Sequence, residues 1–277
     1  MDGCSSNITA AEVGFTHPTH IQKEIHAVML VLGLFEWYGV PFRQGFFCDD
    51  DTIKYPYRPN SISVTLLLIV SIVIPLAVMA TWDVVFKVYK LRGSLTCRVA
   101  WRRVYDAVLV FLFGAALTLF ITDIGKYSIG RLRPHFIAVC QPDLNTACTE
   151  GYAQDDVCKG SDVKAIAEAR LSFPSGHASI SFFGMTYFAV FLYARLPKSG
   201  PRLLKPFAMA LVLSVAFYIS LSRVFDYWHH PGDVLFGSLL GVSVAVPLSV
   251  FVAKLRPPST TTNNKDAVDR PTIATVT

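Results

Sequence analysis

The sequence predicts an all-α protein, an integral membrane bundle of six transmembrane helices, and three observations support this fold class. The 277 residues are 52% hydrophobic and only 16% charged, whereas soluble domains carry about 25% charged residues. The apolar residues are concentrated in runs of roughly 20, the length that a helix needs to cross a bilayer. Basic residues cluster in alternate connections between these runs, as they do on the cytoplasmic side of membrane proteins.

The individual spans follow from these runs. Ile21 to Pro41 is the first candidate, although the polar residues Glu24, His26 and Glu36 interrupt its apolar sequence. We count it as a span, with an interfacial or re-entrant helix as the alternative. We do not expect a cleaved signal peptide, because the segment begins late and lacks a basic flank. The other five runs have the length and composition of spanning helices: residues 61–82, 105–124, 178–195, 206–222 and 234–254.

The chain divides into three regions. Residues 1–20 form the N-terminus, residues 21–256 the transmembrane domain, and residues 257–277 a Thr- and Pro-rich tail that we expect to be disordered. In the last span, the spacing of Gly237 and Gly241 favours close helix packing. This packing would lie either within the bundle or between copies of the chain, so the sequence also allows a homo-oligomer.

Loop charge orients the bundle. The connections 83–104 and 195–205 carry most of the basic residues near the spans, and the positive-inside bias therefore places them and both termini in the cytoplasm. The connections 42–60, 125–177 and 223–233 then lie on the opposite side. The basic residues adjoin apolar runs without a base-stacking pattern, so nucleic-acid binding is not expected.

The cysteines agree with this orientation. Four of the six lie on the predicted non-cytoplasmic side, where disulfides form: Cys48, Cys140, Cys148 and Cys158. Three pairings are possible, and the sequence does not choose among them. Their spacing is not that of a zinc site. The sequon at Asn7 falls in the predicted cytoplasmic N-terminus, and we expect it to be unused.

Three clusters of polar residues lie at the ends of predicted spans, all on the non-cytoplasmic face. The first runs from Lys126 to Pro134, the second covers residues 174–177, and the third runs from Ser222 to Asp233. About a hundred residues separate the first cluster from the last. A helical bundle would nevertheless bring them together at one membrane surface.

The first two clusters suit an anion. Lys126 and Arg133 are seven residues apart, so they share a helical face if the helix continues past Gly130. Two such cations form a phosphate clamp, and the alternative is that they contact lipid headgroups. Ser175 and Gly176 precede a helix and offer hydrogen-bond donors to an anion. Their alternative role is an ordinary turn and helix cap.

The histidines add reactive groups. The ordinary pKa of a histidine lies close to neutral pH, so His177 is a candidate general acid. His229 and Asp233 are four residues apart, the spacing of neighbours on one helical face. An aspartate that accepts from one imidazole nitrogen leaves the other nitrogen able to attack. Arg223 supplies a third cation, and His230 is an alternative nucleophile.

Together these residues resemble the signature of the lipid phosphate phosphatases, also called type 2 phosphatidic acid phosphatases. That signature is shared with vanadium haloperoxidases and glucose-6-phosphatase-like enzymes. The pattern Lys-x6-Arg-Pro, Pro-Ser-Gly-His and Ser-Arg-x5-His-x3-Asp is matched at every position. Residues 45–59 also look like the first outer loop of the animal members, although residues 125–177 lack the sequon that those members usually carry. The resemblance extends over residues 20–256.

The resemblance implies a phosphatidate phosphatase, a lipid phosphate monoester hydrolase that needs no metal or other cofactor. Its substrates would be phosphatidate, lysophosphatidate, sphingosine 1-phosphate and ceramide 1-phosphate, presented by the bilayer of the plasma membrane to an extracellular or luminal site. It implies His229 as the nucleophile that forms a phosphohistidine, Asp233 as its orienting residue, and His177 as the acid and then the base. The phosphoryl oxygens would be bound by Lys126, Arg133, Ser175, Gly176 and Arg223.

Two other functions compete with this one. A non-enzymatic membrane protein of the same fold would bind bioactive lipids, but the presence of both His177 and His229 argues against it. A related phosphatase would act on sugar phosphates or polyprenyl diphosphates, and the outer-loop resemblance favours lipid phosphates instead. The sequence does not rank the lipid substrates, because an acyl-chain pocket would be built from generic apolar side chains.

Overall fold

The computed structural model describes residues 23, 26–31, 33–34, 39–90, 97–144, 148, 151–154, 157–196 and 201–255. Its helices are α1 (Val64–Leu68), α2 (Ile74–Lys90), α3 (Cys97–Ile129), α4 (Phe136–Cys140), α5 (Val163–Ala169), α6 (Gly176–Arg195), α7 (Leu204–Phe225) and α8 (Pro231–Pro247). A π-helical segment, Ile69–Val73, joins α1 to α2, and a second, Leu248–Val252, extends α8. A 3-10 turn covers Asp51–Ile53. Strand β1 (Phe46–Phe47) pairs antiparallel with β2 (Tyr152–Ala153).

Within the described residues, five helical stretches are long and apolar enough to cross a membrane: Val64–Trp82, Ala107–Ile129, Gly176–Arg195, Leu204–Phe225 and Pro231–Val252. They confirm five of the predicted spans to within a few residues, and the chain is an all-α integral membrane protein. Of the first predicted span, residues 26–31 and 33–34 are helical. Residue 23 is also helical and residues 39–41 are not. The other residues of this span lie outside the described residues, as do the segment 1–20 with Asn7 and the tail 257–277.

Helix α6 lies at the centre of the bundle. Its side chains Phe183 and Tyr187 are fully buried, and they pack against Phe111 of α3 and beside Val244 of α8. The Tyr187 hydroxyl donates to the Ala107 carbonyl at 3.0 Å, which satisfies this polar group inside an apolar core. The outward side chains of α1, α7 and α8 are large and apolar, as lipid contact requires.

Glycines allow α8 to approach α6 closely. A β-carbon at Gly237 would lie 2.6 Å from the Ser175 carbonyl oxygen, and one at Gly241 would overlap the Ser179 carbonyl oxygen. Only glycine permits this distance between the two backbones. The packing pattern found in the last span is therefore used within the bundle.

The connections at one end of the bundle are joined into a cap. We call this end, where α3 and α7 finish and α6 and α8 begin, the polar end. Disulfides link Cys48 to Cys148 and Cys140 to Cys158, which selects one of the three possible pairings. The β1–β2 pair and the Cys48–Cys148 bond tie the connections 42–60 and 125–177 together. Beneath them lies a small apolar core of Phe46, Ile53, Leu132, Phe136 and Ala169.

Candidate active site

Helix α3 ends between the two cations of the first cluster. Gly130 has a φ of +61°, and a β-carbon there would overlap the Phe42 carbonyl oxygen, so the helix stops at a position that requires glycine. Lys126 and Arg133 would share a helical face only if the helix continued past Gly130, and this condition is not met. Arg133 reaches the site from the following loop, where its backbone N–H donates to the Ala169 carbonyl at 2.8 Å.

Lys126 lies in the last turn of α3, beside the first turn of α6. Its Nζ donates to Asp123 Oδ1 at 3.0 Å. A β-carbon at Gly176 would lie 3.6 Å from Lys126 Nζ, which places the ammonium group against the start of α6. A cation and a helix N-terminus together attract an anion.

Two buried hydrogen-bond donors near this helix start are unused. Ser175 is the N-cap residue of α6, but its side chain makes no capping bond. Within the described part of the chain, Ser175 Oγ and Arg133 Nε are buried without a hydrogen-bond partner. Because buried polar groups in proteins are almost always paired, these two donors indicate a place for a ligand with acceptor oxygens.

The third cluster is organised around the carboxylate of Asp233. Helix α8 begins at Pro231, a favoured first position, and Asp233 accepts from the backbone N–H of the N-cap residue His230 at 3.0 Å. Asp233 is fully buried. Its other two partners come from distant segments: Arg131 Nη1 donates to Oδ1 at 2.7 Å, and Ser172 Oγ donates to Oδ2 at 2.6 Å.

His229 lies next to this carboxylate but bonds to a different group. Its Nδ1 is 2.6 Å from the Ser172 carbonyl oxygen and 3.9 Å from Asp233 Oδ2. The direct hydrogen bond expected from the four-residue spacing is thus replaced by one to Ser172, because His229 precedes α8 instead of lying on it. A carbonyl oxygen only accepts, so Nδ1 carries the hydrogen. In the neutral ring, Nε2 then has an unshared electron pair.

The surroundings of His229 keep its ring neutral. Burial lowers the pKa of His229 well below its ordinary value, and the positive charge of Arg133 lowers it further. The hydrogen bond to Ser172 acts in the opposite direction, while His177 and Lys126 also contribute to the lowering. Arg133, Lys126 and His177 therefore lie close enough to His229 to act on its charge.

Arg223, at the end of α7, is held by three groups. Its Nε donates to Ser222 Oγ at 2.9 Å, its Nη2 to Asp226 Oδ2 at 3.1 Å, and its Nη1 to Asn60 Oδ1 at 2.6 Å. The side chain is only 1% exposed. A buried guanidinium with partners on all three nitrogens has a fixed plane.

Arg133 is held less firmly. Its Nη1 is 3.5 Å from Glu168 Oε2, and that glutamate side chain is 65% exposed. The Trp228 ring covers the guanidinium, with 4.7 Å between Cζ and the ring centroid. Burial lowers the pKa of Arg133 to about 10, so it remains a cation at neutral pH, and the charge of Arg223 acts on it as well.

His230, the alternative nucleophile, faces another part of the molecule. Its Nε2 is 3.0 Å from the Leu132 carbonyl oxygen. It lines a cleft of about 530 Å³ together with Phe46 and Arg131, and His229 is not among the lining residues. Burial, followed by the charge of Arg131, lowers the pKa of His230.

The polar end therefore gathers every predicted site residue: Lys126, Arg133, Ser175, Gly176, His177, Arg223, His229 and Asp233. It adds four residues that the sequence interpretation missed, namely Asn60, Arg131, Ser172 and Asp226. Arg131 and Asp226 lie inside the first and third clusters, where a charged residue could have been singled out. Asn60 and Ser172 had no sequence signal. Among the described residues, no group of three or more histidine, cysteine or acidic side chains is arranged to hold a metal ion.

Comparison with known proteins agrees with this geometry. The sequence profile of the PAP2 superfamily matches residues 107–257. The chain is 42% identical over 232 residues to phospholipid phosphatase 1 of Rattus norvegicus, covering 82% of this chain and 80% of the relative. It is 38% identical over 243 residues to phospholipid phosphatase 2 of that species, covering 85% and 87%. A candidate phosphatidate phosphatase of Drosophila melanogaster is 40% identical over 244 residues, covering 80% of this chain and 64% of that protein. No solved structure matches the chain significantly.

Proposed function

The chain belongs to the PAP2 superfamily and dephosphorylates lipid phosphates, and we propose that it does so through a phosphohistidine formed on His229. The environment of that side chain carries the proposal. Its Nδ1 hydrogen is directed to the Ser172 carbonyl, its pKa is lowered by burial, and its Nε2 therefore has the electron pair of a nucleophile at neutral pH.

In the first step, His229 Nε2 bonds to phosphorus while the bond between phosphorus and the ester oxygen breaks. The electron pair of that bond goes to the leaving alcohol oxygen, which takes a proton from His177. Charge spreads over the three remaining phosphoryl oxygens in the transition state. The groups that would bind these oxygens are Lys126, Arg133, Arg223, the Ser175 hydroxyl and the Gly176 backbone N–H.

In the second step, a water oxygen bonds to phosphorus and the bond from phosphorus to Nε2 breaks. His177 takes the water proton, and inorganic phosphate leaves with His229 neutral again. The Nε2 of His177 is 3.2 Å from the Ile62 carbonyl oxygen, which holds a hydrogen on that nitrogen. Nδ1 is therefore the atom of His177 that we assign to proton exchange in both steps.

We place the site on the non-cytoplasmic side of the plasma membrane, in a bundle completed by a sixth span over residues 21–41. The two disulfides of the cap support this side, because such bonds persist in oxidising compartments. The substrates would be phosphatidate, lysophosphatidate, sphingosine 1-phosphate and ceramide 1-phosphate. The polar end adjoins large, lipid-facing apolar side chains, so a headgroup can enter while its acyl chains stay in the bilayer.

Replacement of His229 tests the mechanism, and His230 provides a neighbouring control. His229→Gln is expected to lower phosphatidate turnover on the order of 10³-fold or more, because no other group takes over the nucleophilic step. His230→Gln is expected to keep phosphohistidine formation, measured with ³²P-labelled phosphatidate and an alkaline quench. Full turnover in His229→Gln, or labelling that disappears only in His230→Gln, contradicts the assignment. Unchanged thermal unfolding of both purified variants establishes that they are folded.

The orientation has a separate test. Intact cells that express the protein are expected to hydrolyse a short-chain phosphatidate added to the medium, since the site would face outward. Activity that appears only after the cells are permeabilised contradicts the proposed side or the proposed membrane.

A further inference from the structure

Four residues of the segment Arg58–Ile62 are hydrogen-bonded to the second and third clusters. Trp228 Nε1 donates to the Arg58 carbonyl at 3.0 Å. The backbone N–H and hydroxyl of Ser61 donate to the two carboxylate oxygens of Asp226 at 2.9 and 2.7 Å. The Ile62 carbonyl accepts from His177. A segment outside all three polar clusters thus contacts Trp228 and Asp226, the neighbours of Arg133 and Arg223. It also contacts the catalytic residue His177 directly.

Asn60 makes the most specific of these contacts, since it bonds to Arg223. Arginine has no acceptor atom, so the Asn60 oxygen must be the atom that faces Nη1, at 2.6 Å. The other two partners of Arg223, Ser222 and Asp226, lie on α7 or next to its end. Asn60 is the partner that comes from another part of the chain, and it fixes the guanidinium from the opposite direction.

The chemical type of this partner also matters. An amide oxygen orients a guanidinium without adding a negative charge, whereas a carboxylate would neutralise the cation and repel a phosphate dianion. Arg223 already has one carboxylate partner in Asp226. A second neutral acceptor leaves more of its charge for the phosphoryl oxygens.

We infer that Asn60 is a positioning residue of the phosphate site, which holds the Arg223 guanidinium in the plane that meets the phosphoryl oxygens. This inference rests on the proposed function, because Arg223 binds phosphate only in that mechanism. It also assigns a role to the first outer connection, whose residues 58–62 then form one wall of the site.

The experiment compares Asn60→Ala and Asn60→Asp with Asp51→Asn, a control in the same connection. The Asp51 side chain is exposed, and the partner that the described part of the chain gives it is Lys54. The probe is orthovanadate, which adopts the five-coordinate geometry of phosphoryl transfer. Its inhibition constant and the kcat and KM for phosphatidate are measured on the purified full-length protein.

Asn60→Ala is expected to raise the vanadate inhibition constant about 10-fold or more, the usual effect of losing a hydrogen bond to a charged group. Asn60→Asp keeps the acceptor but adds a negative charge, so at pH 7.5 it is expected to raise the vanadate inhibition constant at least as much as Asn60→Ala does. A purely structural role for Asn60 would lower the unfolding temperature in both variants and leave the vanadate inhibition constant unchanged.

Several outcomes separate this inference from the proposed function. Vanadate inhibition within twofold of wild type in Asn60→Ala, with His229→Gln inactive, overturns the role of Asn60 and leaves the mechanism standing. Activity in His229→Gln overturns the mechanism and this inference with it. If Asn60→Ala does not fold, Asn60→Asp decides alone: a vanadate inhibition constant equal to that of Asp51→Asn refutes the inference.

Discussion

Arg131→Ala tests whether the buried carboxylate of Asp233 controls the nucleophile from a distance. Arg131 Nη1 is 2.7 Å from Asp233 Oδ1. The other oxygen of Asp233 accepts from Ser172 Oγ, and the carbonyl of the same serine accepts from His229 Nδ1. Removal of the cation is therefore expected to displace Ser172 and to misalign the imidazole.

The magnitude follows from the burial of the two partners. Breaking a fully buried ion pair costs about 3–5 kcal/mol. The Arg131 side chain is 40% exposed while that of Asp233 is 0% exposed, so water can partly replace the guanidinium. Ser172 Oγ and the His230 N–H remain as donors to the carboxylate. We expect a loss of about 1–3 kcal/mol, which corresponds to roughly 5- to 150-fold in kcat/KM.

The assay is steady-state phosphatidate hydrolysis by purified protein, with Arg131→Lys and Lys54→Ala as comparisons. We expect the loss to fall on kcat with little change in KM, because Arg131 contacts Asp233 and not the phosphoryl oxygens. Arg131→Lys should recover part of it by restoring the charge. Lys54 belongs to an exposed pair and its removal should have little effect. A higher KM with unchanged kcat would refute the reasoning, since it would make Arg131 a substrate-binding residue.

Two further predictions concern stability. Burial lowers the pKa values of His135, His229 and His230 below the ordinary 6.5, so the unfolded chain binds more protons. The free energy of unfolding in detergent should therefore fall as pH drops from 7.5 to 5.5, by up to about 1.4 kcal/mol per pH unit for each histidine, and the unfolding temperature should fall with it. An unfolding temperature that does not change with pH would contradict this burial. Gly241→Ala is expected to cost about 1–3 kcal/mol, because the added carbon overlaps a carbonyl of α6. Gly33→Ala has open space around it and serves as the control, so equal unfolding temperatures for the two variants would exclude the proposed packing.

The spans could be predicted from sequence because hydropathy acts locally. A run of about 20 apolar residues satisfies the bilayer whatever its neighbours are, and five such runs became helices within a few residues of their predicted bounds. The same local reasoning failed where a helix ends. Lys126 and Arg133 have helical spacing, but the backbone at Gly130 turns out of the helix where Phe42 packs against it.

The partners of the signature residues could not be predicted for a related reason. Asn60 and Arg223 are separated by 163 residues, and Arg131 and Asp233 by 102. Such pairs depend on how the connections fold over the bundle, which periodicity does not encode. The pairing of Cys48 with Cys148 depends on the same folding. The sequence thus identified the groups that face the substrate more readily than the groups that hold them.

Charge pairing at the polar end separates two kinds of cation that look alike in sequence. Each of the four cations in the three polar clusters has a carboxylate partner: Lys126 with Asp123 at 3.0 Å, Arg131 with Asp233 at 2.7 Å, Arg133 with Glu168 at 3.5 Å, and Arg223 with Asp226 at 3.1 Å. The pairs offset the cost of burying charge in the absence of substrate. Arg133 has the longest pair, an exposed partner and an unused Nε, so phosphate can displace Glu168 at little cost. Arg131, two residues earlier, makes the shortest of the four ion pairs, and its partner is fully buried. Because Asp233 balances its charge, we expect Arg131 to position the nucleophile while Arg133 binds the phosphoryl group.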